Sequence, residues 1–168
     1  CRSAPGAVAD HIDAKPKAND AARAALADHA KRVGLEADVV DVEPGVYRLQ
    51  RHFRDRPAPL VSLVVPTRGT SSTVWGQRRC FVTALARSLV DQTTYERWEF
   101  VCVTDADTPA AVLEELSGIL GDRLVLVPFD APFNFAQKTN LGAAHANGEV
   151  LCLLNDDVQV ITPDWLDT

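Results

Sequence analysis

The chain has 168 residues, 46% of them hydrophobic and 24% charged, the composition of a globular protein large enough for one domain and an appendage. Its formal net charge of −6 and the absence of any lysine or arginine run argue against nucleic-acid binding, because phosphate contacts need a basic surface. The sequence has no apolar stretch long enough to span a membrane and no signal peptide. We therefore expect a cytoplasmic protein, in which any contact with the inner face of the membrane comes from regions outside this sequence.

The sequence contains no methionine and begins with Cys1, which indicates a piece of a longer chain. None of the four cysteines has the CxxC spacing of a metal site, and Cys102 and Cys152 lie within apolar runs. We expect buried, reduced thiols, in keeping with a cytoplasmic location.

Residues 1–58 are predicted to form an N-terminal extension. Its first residues have no periodic pattern and suggest a loose tail, and an alanine-rich helix is expected from about Asn19 to just before Gly34. Two β-branched runs flank Pro44 and Gly45, which predicts a β-hairpin. A charged, proline-containing linker ends the extension.

Residues 59–168 alternate strand patterns with helix patterns. The predicted strands are the apolar runs LVSLVVP, EFVCVTDAD, RLVLVPF and VLCLLNDD, with a further short run, VQVI, near the end. The predicted helices run from Gln77 to Val90, from Pro109 to Gly121 and from Asn134 to about Asn147, and one more begins at Thr162. Strands alternating with helices of this length predict an α/β domain with a Rossmann-like, mainly parallel sheet and helices on both faces.

Three local features of this second part carry more specific expectations. Thr108 and Asn134 are expected to cap the second and third helices, and Gly148 is expected to adopt left-handed backbone geometry after the third. The run VLCLL has no polar alternation, which predicts a strand covered on both faces.

Polar side chains follow the first, second and fourth predicted strands. They are Thr67 and Arg68, then Asp105 and Asp107, then Asp156 and Asp157. Because the carboxyl ends of parallel strands meet at one edge of a sheet, we expect a single crevice there. Clustered carboxylates persist most easily around a cation, and oxygen ligands without His or Cys favour Mg²⁺ or Mn²⁺ shared with substrate phosphates. A ligand-free Asn-Asp turn is the alternative interpretation of the last pair.

The sequence lacks the signature motifs of several other classes of α/β protein. No GxGxxG or GxxxxGK[ST] loop follows the first strand, and no GxSxG elbow is present. A nucleotidyltransferase would need a basic phosphate-binding loop after that strand, where Arg68 stands alone. A nucleotidyltransferase stays open as an alternative, as does a non-catalytic domain that keeps the fold as a scaffold or interaction surface.

Three longer stretches carry a resemblance to a known family. In this order, VSLVVPTRG, SLVDQTTYERWEFVCVTDAD and FNFAQKTNLGAAHANGEVLCLLNDDVQVITPDWL resemble the N-terminal, donor-binding half of a family 2 glycosyltransferase with the GT-A fold. The resemblance covers Pro59 to Asp167. It implies an enzyme of the hexosyltransferase type that binds a nucleotide-diphosphate sugar with Mg²⁺ or Mn²⁺ and acts in cell-envelope polysaccharide biosynthesis.

The resemblance also implies roles for particular residues. Asn155-Asp156-Asp157 occupies the place of the family's DxD motif, with Asp157 as the metal ligand, Asp156 supporting it and Asn155 departing from the pattern. The residues expected to bind the nucleotide sugar are Pro66, Thr67, Arg68, Asp105, Lys138, Asn140 and Asp156. In many relatives an arginine occupies the position of Thr139, whereas here the basic residue is Lys138, one position earlier. This lysine either reaches the diphosphate or is a solvated helix lysine.

The remainder of the reaction is expected outside this sequence. In the family, the acceptor-binding half and its general base follow the acidic motif, so the base is expected beyond Thr168. The intact enzyme would transfer the sugar to a glycan or lipid-linked acceptor with inversion, and the truncated chain alone would be inactive.

Overall fold

A computed structural model describes residues 16–43, 45–51, 57–74 and 76–167. The chain divides into two compact units, one formed mainly by the residues up to Pro57 and the other running from Ala58 to Leu166. Within the described ranges, no helix is long and apolar enough to cross a membrane.

The first unit consists of a helix and a β-hairpin. Helix α1 (Pro16–Arg32) begins at a proline, a residue well suited to a helix start, so it is longer than the helix predicted from Asn19. Strands β1 (Ala37–Glu43) and β2 (Val46–Arg51) pair antiparallel, which confirms the predicted hairpin. The Tyr47 hydroxyl on β2 donates to Asn19 on α1, which ties the helix to the hairpin.

The second unit is an α/β domain. Its elements, in chain order, are β3 (Val61–Thr67), β4 (Ser71–Val74), β5 (Gln77–Cys80), α2 (Phe81–Gln92), β6 (Trp98–Asp105), α3 (Ala110–Leu120), β7 (Leu124–Phe129), α4 (Phe135–His145) and β8 (Val150–Leu153). Strands β3, β6, β7 and β8 form one parallel sheet in the order β7-β6-β3-β8. The predicted Rossmann-like sheet is confirmed.

Side chains of the central strand β3 alternate between two hydrophobic cores. Val61, Leu63 and Val65 pack with residues of α2 and α3 on one face of the sheet. Val64 packs on the other face, where Leu141 of α4 joins the core. All seven residues of β3 are buried, as the apolar run predicted for a strand covered on both faces.

Helix α4 comes unusually close to the sheet at Gly142. A Cβ atom at this position would lie 2.5 Å from Val64 Cγ1 and 2.7 Å from Val103 Cγ2, closer than carbon atoms tolerate. The glycine therefore lets the backbone of α4 lie against β3 and β6, which brings the first turn of α4 to the carboxyl ends of these strands.

A short hairpin stands where the sequence predicted a loop and the start of a helix. Strands β4 and β5 pair antiparallel from Ser71 opposite Cys80 to Val74 opposite Gln77, and α2 begins at Phe81 rather than at Gln77. Strand β4 is mostly polar and exposed, so the sequence contains no alternating apolar signal for it.

In the described residues at the end of the chain, neither the predicted strand VQVI nor the predicted helix after it forms. Residues 158–161 pass over α2 instead, where the Val160 N–H donates to Ser88 Oγ at 2.7 Å and the Val160 side chain joins the core. The indole N–H of Trp165 donates to Thr93 Oγ1 at 3.1 Å. Specific contacts with the second unit thus replace regular structure in this segment.

Strand β8 is exposed, contrary to the prediction of a strand covered on both faces. In the part of the chain that the structure describes, it pairs with β3 alone, and the exposed fractions of Val150, Leu151 and Leu153 are 44%, 48% and 57%. The strand itself was predicted correctly. Its burial was not, because an apolar run does not specify which elements lie beside it.

The expectations for individual residues have mixed outcomes. Asn134 caps α4 as predicted, since its Oδ1 accepts a hydrogen bond from the Gln137 N–H at 3.1 Å. Thr108 does not cap α3: its hydroxyl is buried and has no hydrogen-bond partner within the described chain. Gly148 does not adopt a left-handed conformation, and its role is a close backbone approach instead.

The cysteines within the described residues are free thiols, as predicted. Cys102 is fully buried, and burial raises the pKa of its thiol to about 12, so it stays protonated at neutral pH. Cys80 and Cys152 are only partly buried.

Candidate functional site

The candidate site is centred on Thr67, the last residue of β3. Its hydroxyl donates to Asp156 Oδ2 at 2.6 Å and accepts from the Gly69 N–H at 3.0 Å. Gly69 has a φ of +67°, and a Cβ there would lie 3.1 Å from Thr108 Cγ2, so glycine suits both the turn and the space beside α3. The carboxyl ends of β3 and β8 are thereby joined through one side-chain hydrogen bond.

Lys138 is buried at this edge of the sheet and is shielded from solvent. Its ammonium group donates to the Thr67 carbonyl oxygen at 2.8 Å and to Asp105 Oδ1 at 2.9 Å, and its side chain is 1% exposed. The ring of Phe129 lies 5.9 Å from the same ammonium group. Burial excludes the solvated helix lysine that the sequence left open, and the contacts assign Lys138 to holding β3 and β6 together at their carboxyl ends.

Asp105 lies between two cations. Lys138 contacts its Oδ1, and Arg68 Nε lies 3.4 Å from its Oδ2. The same guanidinium also reaches Asp107 Oδ2 at 3.0 Å, in a contact that is largely exposed. The expected cluster of carboxylates without basic partners is therefore wrong for this side of the crevice, because Arg68 just after β3 and Lys138 of α4 neutralise it.

Asp156 and Asp157 differ in their surroundings. Burial raises the pKa of the Asp156 carboxyl and the neighbouring charge of Asp157 raises it further, while the Thr67 hydrogen bond partly offsets both effects. Asp157 is exposed. It lines a cavity of about 330 Å³, whose other lining residues are Val74, Arg79, Phe81, Ala84, Val158 and Gln159.

The structure thus brings five of the eight predicted site residues into one hydrogen-bonded group: Thr67, Arg68, Asp105, Lys138 and Asp156. The other three lie outside that group. Pro66 is buried within β3, Asn140 is exposed on α4, and Asp157 points toward the cavity between the β4–β5 hairpin and the chain after β8.

The acidic pair fits a cation only in part. Among the described residues, no group of three or more His, Cys, Asp or Glu side chains could hold a metal ion. Asp156 and Asp157 nevertheless supply two adjacent carboxylates, and the charge of Asp157 makes ionisation of Asp156 less favourable. Mg²⁺ typically takes one or two protein carboxylates and completes its shell with water and substrate phosphates. These residues therefore fit a cation that is shared with a substrate.

The sequence predicted neither of two polar features of the second unit. The β4–β5 hairpin brings Arg79 to the cavity that Asp157 also lines, and its polar strands contain no pattern that predicts it. A second polar group lies at the opposite, amino end of the sheet around Glu99. The signal for it was a single charged residue inside the apolar run EFVCV.

The chain belongs to glycosyl transferase family 2, because the family model described as Glycosyl transferase family 2 matches residues 62–167. This match confirms the resemblance drawn from the three sequence stretches. It covers nearly the whole second unit, including every residue of the candidate site.

Two curated proteins are similar in sequence. The uncharacterized protein y4gI of Sinorhizobium fredii is 35% identical over 98% of this chain, which spans 18% of that protein. The O-antigen biosynthesis protein RfbC of Myxococcus xanthus is 34% identical over 85% of this chain, which spans 10% of that protein. The chain therefore corresponds to a small part of each of these relatives.

Two solved structures align with this chain. The mannosyltransferase PcManGT of Pyrobaculum calidifontis, in complex with GDP-Man and Mn²⁺, aligns with a TM-score of 0.51 and 21% identity over 93% of this chain and 41% of its own. The S. aureus protein TarS 1-349, in complex with UDP, aligns with a TM-score of 0.43 and 20% identity over 58% of this chain and 27% of its own. The first alignment supports the GT-A fold.

Proposed function

We propose that the second unit binds a nucleotide-diphosphate sugar together with Mg²⁺ or Mn²⁺ and is the donor-binding part of a glycosyltransferase. One observation carries the proposal: in a domain of this family, Thr67, Asp105 and Asp156 meet at the carboxyl edge of the sheet. Lys138 joins Thr67 to Asp105, and the Thr67 hydroxyl joins Thr67 to Asp156. That edge is where open α/β sheets bind their ligands.

Each site residue has a proposed role. Pro66, Thr67 and Arg68 line the pocket for the base and ribose, and Asp105 faces the same part of the nucleotide. Lys138 positions Asp105, because its ammonium group already has two protein partners. Asn140, exposed on α4, faces the donor from that helix.

Asp157 and Asp156 are proposed to hold the divalent ion next to the donor's diphosphate. Departure of the nucleotide leaves negative charge on a phosphate oxygen, and a bound divalent ion stabilises such charge as a Lewis acid. The Thr67 hydroxyl fixes the orientation of Asp156, while exposed Asp157 stays accessible to the ion.

We place the protein in cell-envelope polysaccharide biosynthesis, with transfer to a glycan or lipid-linked acceptor and inversion at the anomeric carbon. Support comes from the family and from the similarity to a protein named for O-antigen biosynthesis. Since the chain spans only a small part of its curated relatives, acceptor recognition is assigned to other parts of the full-length protein.

Calorimetric titration of the full-length protein with UDP, GDP and dTDP, each with and without Mn²⁺, tests the donor site. We expect one nucleotide to bind in a manner that depends on Mn²⁺, and Asp157→Ala to weaken that binding by about tenfold or more. Asp122→Ala removes an exposed carboxylate after α3 and serves as the matched control, with unchanged binding.

Two results would contradict the proposal. Binding of none of the three nucleotides would favour the non-catalytic scaffold, and binding that ignores both Mn²⁺ and Asp157 would remove the metal from the site. Thermal unfolding of each variant separates a lost contact from a lost fold, since Asp157 is exposed and its replacement leaves the core intact.

A further inference from the structure

The edge strand β8 delivers Asp156 to the candidate site, yet its own side chains do little to fix its register against β3. Only four residue pairs join the two strands, and three of the four β8 side chains are exposed. Register is strongly specified where one strand face is buried and weakly specified where neither is. Some other contact must therefore decide which residue of β8 meets Thr67.

A hydrogen-bonded group at the amino end of the sheet supplies that contact. Glu99, a buried residue of β6, accepts from Ser62 Oγ at 2.5 Å, from the Asn147 N–H at 2.6 Å and from Asn147 Nδ2 at 2.9 Å. Ser62 Oγ in turn accepts from the Gly148 N–H at 2.8 Å. One carboxylate thus ties β6, β3 and the two residues that lead into β8.

Gly148 leaves the turn into β8 almost no freedom to shift. A Cβ on this residue would lie 2.5 Å from Ser62 Oγ, 2.6 Å from the Leu60 carbonyl oxygen and 2.8 Å from the Ser62 nitrogen. Two of these three atoms belong to the backbone and cannot rotate away. The chain therefore enters β8 pressed against the start of β3.

The register set at this end continues to the site. Partners along β3 and β8, from Val61 with Val150 onward, have the same separation in sequence as Thr67 and Asp156, which is 89 residues. A slip of one residue would place Asn155 or Asp157 opposite Thr67 and turn every side chain to the other face.

We propose that Glu99 is a positioning residue: by anchoring Asn147 and Ser62, it sets the register of β8 and so places Asp156 against Thr67. The distance of this action is roughly 16 Å, five strand residues at about 3.3 Å each. Hydrogen bonds from Asn147 and the Ser62 hydroxyl require an acceptor on both carboxylate oxygens, and glutamine offers only one. The effect of Glu99 on nucleotide binding rests on the proposed donor site, whereas its effect on the register of β8 does not.

A double-mutant cycle on nucleotide affinity tests the positioning role. Glu99→Gln is expected to weaken binding by about tenfold or more, as for a lost hydrogen bond to a charged group. In the Asp156→Asn background the same change should add almost nothing, because the carboxylate that it positions is already gone. Residues this far apart normally act independently, so equal losses in both backgrounds, or no loss, would overturn the proposal. Glu96→Gln, which removes an exposed carboxylate three residues earlier, is the control with unchanged affinity.

Hydrogen exchange tests the register without any ligand. Glu99→Gln should accelerate exchange of the Val150 and Leu154 amides, which donate to Leu60 and Val64 of the β3 region, by about tenfold or more relative to the amides of β7. Uniform acceleration over the whole sheet, or none, would contradict the anchoring role. If the wild type binds no nucleotide, the donor-site proposal fails. The hydrogen-exchange experiment then tests by itself whether Glu99 anchors β8. Asn147→Ala, which removes the side-chain bond and keeps the N–H, replaces Glu99→Gln if that variant does not fold.

Discussion

The two ends of the parallel sheet each hold a shielded carboxylate, and their surroundings act on the two in opposite ways. At the amino end, burial alone would raise the pKa of Glu99, but hydrogen bonds from Ser62 and Asn147 outweigh it and hold the pKa below its usual value. At the carboxyl end, burial and the charge of Asp157 raise the pKa of Asp156 despite the Thr67 hydroxyl. The surroundings at the amino end therefore favour the ionised form of Glu99, whereas those at the carboxyl end disfavour the ionised form of Asp156.

This difference separates a structural carboxylate from a candidate binding group. A carboxylate whose oxygens are saturated by the protein has nothing left to offer a ligand. One that is shielded, paired with a like charge and short of partners gains most when a cation or polar ligand arrives. The comparison therefore supports the proposed donor site at the carboxyl edge, and it predicts how strongly each end of the sheet contributes to stability.

The largest effect is expected for Lys138→Met. Methionine keeps the side-chain length but leaves Asp105 and the Thr67 carbonyl without their buried cation, so we expect a loss of about 3 kcal/mol in the free energy of unfolding. Urea unfolding followed by tryptophan fluorescence measures it, since Trp98 and Trp165 both belong to the core of the second unit. Arg87→Met breaks the exposed pair with Glu115 and should cost less than about 1 kcal/mol. Equal losses would mean that the Lys138 contacts contribute no more than a surface pair.

A smaller effect is expected for Gly148→Ala. The added methyl group meets backbone atoms of Leu60 and Ser62, so the turn must move and the variant should lose about 2 kcal/mol of stability. Gly118→Ala is the matched control on α3, where a Cβ meets no atom within 4 Å. It should stabilise the protein by about 0.5 to 1 kcal/mol through helix propensity. A neutral Gly148→Ala would show that the entry to β8 tolerates displacement.

The smallest effect concerns pH and Glu99. Because its folded pKa lies below the unfolded value, its ionised form adds stability above the unfolded pKa, and this contribution is lost as the pH falls through the folded pKa. At neutral pH, we expect the free energy of unfolding of the wild type to exceed that of Glu99→Gln by about 1.5 kcal/mol. The difference should shrink in acid. Urea unfolding of both proteins across a pH series measures it, and a difference that is constant with pH would contradict the assignment to an ionised carboxylate.

The local pattern of the sequence was enough to predict the parallel strands, and the resemblance of three longer stretches indicated the family. Strands β3, β6 and β7 are apolar runs bounded by polar residues, and β3 and β6 are almost entirely buried. Each helix between these strands has an apolar face. Thr67, Asp105 and Asp156 were found because topology alone brings the ends of parallel strands to one edge.

What the sequence did not reveal depends on contacts between distant segments. Lys138 has the pattern of an ordinary helix lysine, and only the close approach of α4 at Gly142 puts it beneath the sheet. The apolar run of β8 predicted burial, but burial depends on the neighbour at each edge. Glu99 is a single charge in a strand, and its partners Ser62 and Asn147 lie 37 and 48 residues away in sequence.

The exposed outer edge of β8 also has a consequence for the solution behaviour of the chain. Its residues Val150–Leu153 read VLCL, a stretch without charge, proline or glycine, and these are the features that normally discourage a further strand from adding to an edge. In the part of the chain that the structure describes, that edge pairs with no other strand. We therefore expect this edge to favour association of the chain at high concentration, and Leu151→Lys to reduce that association.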